Sequence, residues 1–485
     1  MVGLGEWLLK HYQKVLMVVL VLWGAHYAYT RPYSLGDPTT YVALIVGELL
    51  LVAVFHYRRV FFWVLMASFL WAGLTLPLKG VWGAARWPVL LCAAVVGLVL
   101  WLKEECQHFG AMHMVALSCV IAAMTSAVVS TFPRIAFLKA ASLLLLLLYA
   151  SAGARIAILG REREFLRELV NVCEVLVYLA TLCYFGLHVE IFGNPNSLGA
   201  IAGIAFVPLA LWGTFSAESR LLRRRRAISL ALSVGLLVFS RSRAGLLSGI
   251  VAAAFLLLGL KRYRLFVRVG ALGVAGVALV GLWSPDLIWQ STESVNSELI
   301  YKGHREKGLL ASRVEPWNAT MATIQEHPFL GGGFGTTATG ADSDRNASTF
   351  ATTVGTSREH GNSYLALLEW VGLLGIVPFL LLIAGLALEI AVVGRYMQRT
   401  LDGTHPAIPL AMVCLAGLVG AVFEDWLFAV GYYLCVFVWS LAFCLVDVTR
   451  RAIAPVVPVD SRVSPWKRAP FGFGADAGLS PLEHR

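Results

Sequence analysis

Stretches of about 20 predominantly apolar residues recur along nearly the whole chain, and no other feature constrains it so tightly. Wound as a helix, one such stretch crosses the ~30 Å hydrocarbon core of a bilayer. Candidates lie near 15–30, 39–56, 60–77, 86–102, 110–130, 135–158, 169–188 and 196–215, and again near 227–242, 244–260, 268–284, 361–394, 405–421 and 427–448. The pair over 227–260 reads either as two spans or as one span with a re-entrant break. Composition agrees: 58% of the 485 residues are apolar and 14% charged, against about 45–50% and about 25% in soluble domains. A water-facing fold cannot hide so much apolar surface, and a disordered chain has the opposite balance. The expected fold class is all-α, a polytopic transmembrane helical bundle of about 12–14 spans.

The net charge of +10 raises nucleic acid as a partner. The positions of the charges argue for a membrane orientation signal instead, because cytoplasmic loops are enriched in Lys and Arg. With Lys10 and Lys14 cytoplasmic, every second connection is basic: Arg58-Arg59, Lys103, Arg161 to Arg167, Arg220 to Arg226, Lys261 to Arg268, Arg395 to Arg399 and Arg450-Arg451. No nucleic-acid partner is expected. The opposite connections are short except for 285–360, which carries nine acidic and six basic residues. A slightly acidic loop in a basic protein fits the extracytoplasmic side, and loops of that length are uncommon unless functional or disordered.

The chain therefore divides into N-terminal transmembrane helices (1–284), an extracytoplasmic loop region with short helices (285–360), C-terminal transmembrane helices (361–448) and a disordered cytoplasmic tail (449–485) rich in Pro, Gly and charge. The first apolar run reads as a retained span, since many others follow it. None of the eight cysteines has CxxC spacing, and most lie in apolar runs, where they serve as small core residues.

Polar residues gather at four places on the extracytoplasmic side. Asn194-Pro195-Asn196 opens a span, where Asn and Pro favour a turn and a helix cap. Ser240-Arg241-Ser242-Arg243-Ala244-Gly245 sets two arginines at the outer end of an apolar run, against the inside-positive pattern. Arginine snorkelling at a helix end is one reading; a functional site is the other, because ionisable groups beside spans are costly. Arg313 and Trp317 lie on a short amphipathic helix that stops before Pro328, and a glycine-rich turn follows at 331–335. The turn lacks the strand and βαβ context of a dinucleotide fingerprint. Finally, Arg358-Glu359-His360-Gly361-Asn362-Ser363-Tyr364 leads into a span with His360 at its mouth, and an imidazole there suits a proton acceptor.

The sequence holds no HExxH, no Cys/His set with zinc spacing, no Walker loop and no GxSxG elbow in the long loop. Arginines around one histidine at a membrane–water interface suit an anionic lipid-linked substrate. Arg holds phosphate by bidentate, charge-assisted bonds, and such contacts stabilise a departing diphosphate without a metal. No cofactor is expected.

Together these motifs resemble the O-antigen ligase and O-antigen polymerase superfamily of bacterial membrane glycosyltransferases. The resemblance covers about 190–380 and rests on Asn194-Pro195-Asn196, Ser240 to Gly245, Arg313 with Trp317, His327-Pro328 with the glycines after it, and His360 to Tyr364. It implies a GT-C-like helical fold in the bacterial inner membrane and an undecaprenyl-diphosphate-linked glycan donor. It further implies a glycolipid or glycan acceptor and metal-independent transfer on the periplasmic face. The family's essential arginines fall on Arg243 and Arg313 and its histidine on His360. Arg241, Arg358, Asn194, Asn196, Asn362, Tyr364 and Trp317 are then the expected substrate-binding set. One departure is that Gly361 separates His360 from Asn362.

A ligase passes a finished glycan to lipid A-core, whereas a polymerase, of O-antigen or exopolysaccharide, uses a lipid-linked repeat as acceptor. The Arg243, Arg313 and His360 set favours the ligase. A lipid-linked sugar transporter is the alternative from another class. It should show inverted repeats and helices broken at the midplane, and the polar residues here cluster at the outer surface instead. A scaffold that uses the long loop as a binding surface should tolerate loss of His360.

Overall fold

The computed structural model describes residues 60–77, 79–102, 110–158, 160–264, 311–336 and 360–450. The apolar segments near 15–30, 39–56 and 268–284, and the tail from 451, lie outside the described residues. Each of the other apolar segments holds a helix, and no strand occurs among the described residues. The protein is an all-α polytopic bundle. Among the described residues six helices are long and apolar enough to cross a membrane, and four shorter ones are apolar.

In chain order the helices are α1 (Phe61–Gly73), α2 (Lys79–Leu102), α3 (Ala111–Val129) and α4 (Pro133–Leu148). Next come α5 (Glu162–Thr181), α6 (Pro195–Phe215), α7 (Arg220–Phe239) and α8 (Arg243–Gly259). The last four are α9 (Ala311–Glu326), α10 (Ser363–Thr400), α11 (Ala407–Gly420) and α12 (Tyr433–Val448). Their starts are chemically marked. Asn194, Ser219, Ser242 and Asn362 each accept a hydrogen bond from a backbone N–H of the first turn, satisfying donors that have no partner inside the helix. The segment over 227–260 resolves into two helices, α7 and α8, joined by the tight turn at Ser240–Ser242.

Burial separates the centre of the bundle from its lipid-facing surface. Nearly all of α12 is buried, including Trp439, and so is most of α6. In contrast, α10 leaves Leu373, Leu374, Val377, Leu380 and Leu381 uncovered by protein, as expected of a helix facing lipid tails. The seven described cysteines are buried and unbridged, in keeping with a packing role.

Charge separates the two ends. The basic connections at Arg161–Arg167, Arg220–Arg226 and Arg395–Arg399 lie at one end of the bundle. His360, Arg313 and the α7–α8 turn lie at the other. At the basic end, Glu174 takes both Arg225 and Arg226, and Arg155 is bound by both oxygens of Asp447.

Two features carry the polar residues of the other end into place. First, α6 and α8 meet backbone to backbone: a Cβ on Gly203 would lie 2.1 Å from the Gly245 carbonyl oxygen, and one on Gly245 would lie 2.2 Å from that of Gly199. Small residues at a helix crossing permit this approach, and here it sets the start of α6 beside the Arg241–Arg243 turn. Second, α10 is broken at Gly372, whose φ of +66° leaves the helical region. The break frees backbone groups, and the loop after α9 pairs them. Gly332 N–H donates to Glu369 O (2.8 Å) and Gly333 N–H to Trp370 O (3.2 Å). In return, Leu373 N–H donates to Pro328 O (2.8 Å) and Leu374 N–H to Phe329 O (3.1 Å). Unpaired backbone groups are costly in a membrane, so the glycine-rich turn is explained by the broken helix it completes.

A Cβ at residue 372 would lie 2.3 Å from Phe329 O. Gly372→Ala therefore combines a left-handed backbone with a collision. The expected cost is about 1–3 kcal/mol or more, read as a lower melting temperature of the detergent-solubilised protein. An unchanged melting temperature would contradict the stitched break.

Candidate functional site

Three elements distant in sequence meet at the end of the bundle away from the basic connections. Arg313 comes from the first turn of α9, His360 from just before α10, and Glu424 and Asp425 from the short connection between α11 and α12. That connection is fastened to the start of α10 through Ser363. The Ser363 hydroxyl donates to Glu424 O (2.6 Å) and accepts from Leu427 N–H (3.1 Å), while its backbone N–H donates to Ala421 O (2.8 Å).

His360 is fully buried. Its backbone N–H donates to Asp425 Oδ2 at 2.9 Å, and its ring Nδ1 lies 3.2 Å from the same oxygen. On the other side of the ring, Nε2 lies 3.4 Å from Glu369 Oε1, an ionic contact longer than a well-formed hydrogen bond. The ring stands edge to face on Trp370, with centroids 5.5 Å apart. Burial alone would lower the histidine pKa. The contacts with Asp425 and Glu369 outweigh it and hold the pKa above the ordinary imidazole value. For Asp425, burial pushes the pKa up, and the two bonds from His360 more than offset this, so it lies below the ordinary carboxylate value.

Arg313 is largely buried and pairs with Glu424 through a 3.0 Å contact. Its guanidinium packs over Gly361: a Cβ there would lie 2.6 Å from Arg313 Nη1, and the residue's φ is +63°. The residue inserted between His360 and Asn362 therefore has a steric reason to be glycine. Arg243 is the first residue of α8, half-buried, and close enough to Arg313 for the two charges to repel. Arg241 is exposed and takes φ +52°, a conformation uncommon outside glycine. Trp317 follows Arg313 by one turn on the same face of α9, and its buried indole N–H has no hydrogen-bond partner among the described residues.

Other candidate residues have assigned contacts. The side-chain oxygen of Asn194 caps α6 by accepting from Asn196 N–H (2.8 Å). That of Asn362 caps α10 by accepting from Tyr364 and Leu365 N–H. The Tyr364 hydroxyl donates to Leu418 O (2.9 Å), tying α10 to α11. Arg358 lies outside the described residues. The structure thus brings Arg313, Arg243 and His360 to one end of the bundle, and Tyr433 joins the start of α6 to this region by donating to Ser197 O. Among the described residues no group of three or more His, Cys, Asp and Glu side chains is arranged to hold a metal ion.

Sequence reasoning passed over Glu424 and Asp425 and gave Glu369 no role. The available signal was an acidic pair wedged between two long apolar runs, since ionisable residues so placed are rare without a partner. Their partners lie 65 and 111 residues away, which no local pattern reveals.

Residues 228–380 match the O-Antigen ligase family model. The match takes in Arg241, Arg243, Arg313 and His360, and so agrees with the resemblance carried by these motifs. Asn194 and Asn196 lie before it, and Glu424 and Asp425 after it. No curated protein matches the chain.

The Asp425–His360 pair ties stability to pH. A histidine whose folded pKa is raised contributes stability that is complete below its unfolded value of about 6.5 and is lost as pH climbs through the folded value. An aspartate whose pKa is lowered contributes above its unfolded value of about 3.9 and loses that as pH falls through the folded value. Between these limits Asp425→Asn should cost about 2 kcal/mol. Melting curves of wild type and variant at about pH 5.5 and about pH 9 should show the gap narrowing at the higher pH. A gap independent of pH would contradict the ion pair.

Proposed function

We propose that this protein, whose segment 228–380 is of the O-antigen ligase superfamily, is a membrane glycosyltransferase that moves a glycan from undecaprenyl diphosphate to an acceptor hydroxyl on lipid A-core. The carrying observation is that two arginines, Arg313 packed over Gly361 and Arg243 within electrostatic reach of it, stand with a His–Asp pair at the end of the bundle away from the basic connections. By the inside-positive rule the basic end is cytoplasmic, so the site belongs to the periplasmic face of the inner membrane.

Each part has a task in this reading. The polyprenyl tail lies among the lipid-facing helices, and the diphosphate sits at the interface between the two arginines. The charge that develops as the diphosphate leaves strengthens both contacts. The His360–Asp425 pair takes the proton of the acceptor hydroxyl. Arg241 and Trp317 contact donor phosphate and sugar, with Trp317 offering a flat apolar face and an N–H. Arg358 belongs to the same substrate-binding set. The energy of transfer comes from the bond between the glycan and the lipid diphosphate, with no nucleotide required.

Deleting the gene in its host and displaying surface glycolipids on a gel tests the reading. The expected result is loss of long chains from lipid A-core, with full-length polymer accumulating on the lipid carrier. Single repeats on the core would instead identify a polymerase. An unchanged ladder would overturn a non-redundant role in O-antigen assembly. Arg313→Lys keeps the charge but loses the two-pronged geometry. It should lower turnover about 10²-fold or more while the protein still inserts and folds. Full activity in that variant would remove Arg313 from the diphosphate site.

A further inference from the structure

The line Asp425–His360–Glu369 has a buried part and an exposed end. His360 has no exposed surface, and its two ring nitrogens face two carboxylates, Asp425 Oδ2 at 3.2 Å and Glu369 Oε1 at 3.4 Å. Trp370 covers the ring edge to face. A substrate hydroxyl approaching from outside the protein therefore meets no open ring nitrogen. Asp425 differs: its side chain keeps 27% of its surface exposed, and both His360 contacts fall on one oxygen, Oδ2. The adjacent Glu424 holds Arg313, so Asp425 sits one residue from the partner of an arginine assigned to the diphosphate.

We propose that Asp425 is the catalytic base that meets the acceptor hydroxyl, and that His360 is a positioning residue fixing the Asp425 carboxylate from behind. This rests on the glycosyl transfer proposed above. In the step, the acceptor oxygen bonds to the anomeric carbon while the bond from that carbon to the phosphate oxygen breaks. The bonding pair leaves with the diphosphate, which Arg243 and Arg313 receive. The hydroxyl proton passes to the Asp425 carboxylate and then to water. His360 contributes a cationic donor that keeps Asp425 ionised and correctly turned, and Glu369 anchors the far side of the ring.

The test uses the full chain in membranes of a deletion strain, supplied with an undecaprenyl-diphosphate-linked glycan and the membranes' own acceptors. The readouts are undecaprenyl diphosphate released, glycan transferred and donor bound. If the wild type releases no lipid diphosphate, the transferase reading itself fails, which is distinct from the outcomes for the variants. Given wild-type turnover, Asp425→Asn should lower kcat about 10²–10⁴-fold with donor binding within a few-fold of wild type. Formate should restore activity to Asp425→Ala at least tenfold, because a small carboxylate enters the exposed position. His360→Ala should fall less far than Asp425→Asn and should not respond to imidazole. Near-wild-type turnover in Asp425→Asn would overturn the proposal. So would equal loss of donor binding, a lack of formate rescue, or imidazole rescue of His360→Ala.

Discussion

Inside a bilayer every backbone N–H and C=O needs a partner within the protein, and the break in α10 is where this chain meets that constraint most visibly. Gly372 interrupts the helix, and the backbone of 328–333 closes the gap. The repair also decides where the candidate site lies. It pins the loop after α9 to the residues on either side of the break in α10, and α9 carries Arg313 back toward the mouth of α10, over Gly361 and beside His360. A broken helix, a glycine loop and a buried arginine are thus consequences of one backbone requirement.

Electrostatics then sorts the side chains at that mouth. Arg313 and His360 are each set against carboxylates of the same short connection or of α10. Glu424 serves Arg313, while Asp425 and Glu369 flank His360. Breaking a buried ion pair leaves an uncompensated charge and is costly, so the connection between α11 and α12 is held in one place by its own charges. Arg243, at the start of α8, lies within electrostatic reach of Arg313 on α9, so the two guanidinium groups add to the positive charge at this mouth.

Much of this was legible in the sequence. The spans follow from apolar runs of bilayer length, and the gathering of the basic connections at one end follows from their alternation. The caps at Asn194 and Asn362 follow from Asn before a helical run. The convergence of Arg243, Arg313 and His360 was anticipated through the resemblance, and the family match covers all three. What stayed hidden depends on the third dimension. Nothing local says that Asp425 reaches His360, or that the glycines of 331–335 complete a helix forty residues later. The choice between one span and two over 227–260 was open because Ser240–Ser242 supports either a re-entrant break or a turn. The structure gives two helices there, α7 and α8, with α8 packed on α6 through Gly199, Gly203 and Gly245.

The central claim is that this end of the bundle cleaves the bond between a glycan and a lipid diphosphate and passes the glycan on. It is tested most directly with purified protein in proteoliposomes carrying an undecaprenyl-diphosphate-linked glycan and lipid A-core, following both the lipid diphosphate and its glycan over time. The account predicts that free undecaprenyl diphosphate and glycosylated lipid A-core appear together, one for one, without nucleotide. An intact donor that only changes leaflet would contradict it and mark the protein as a transporter.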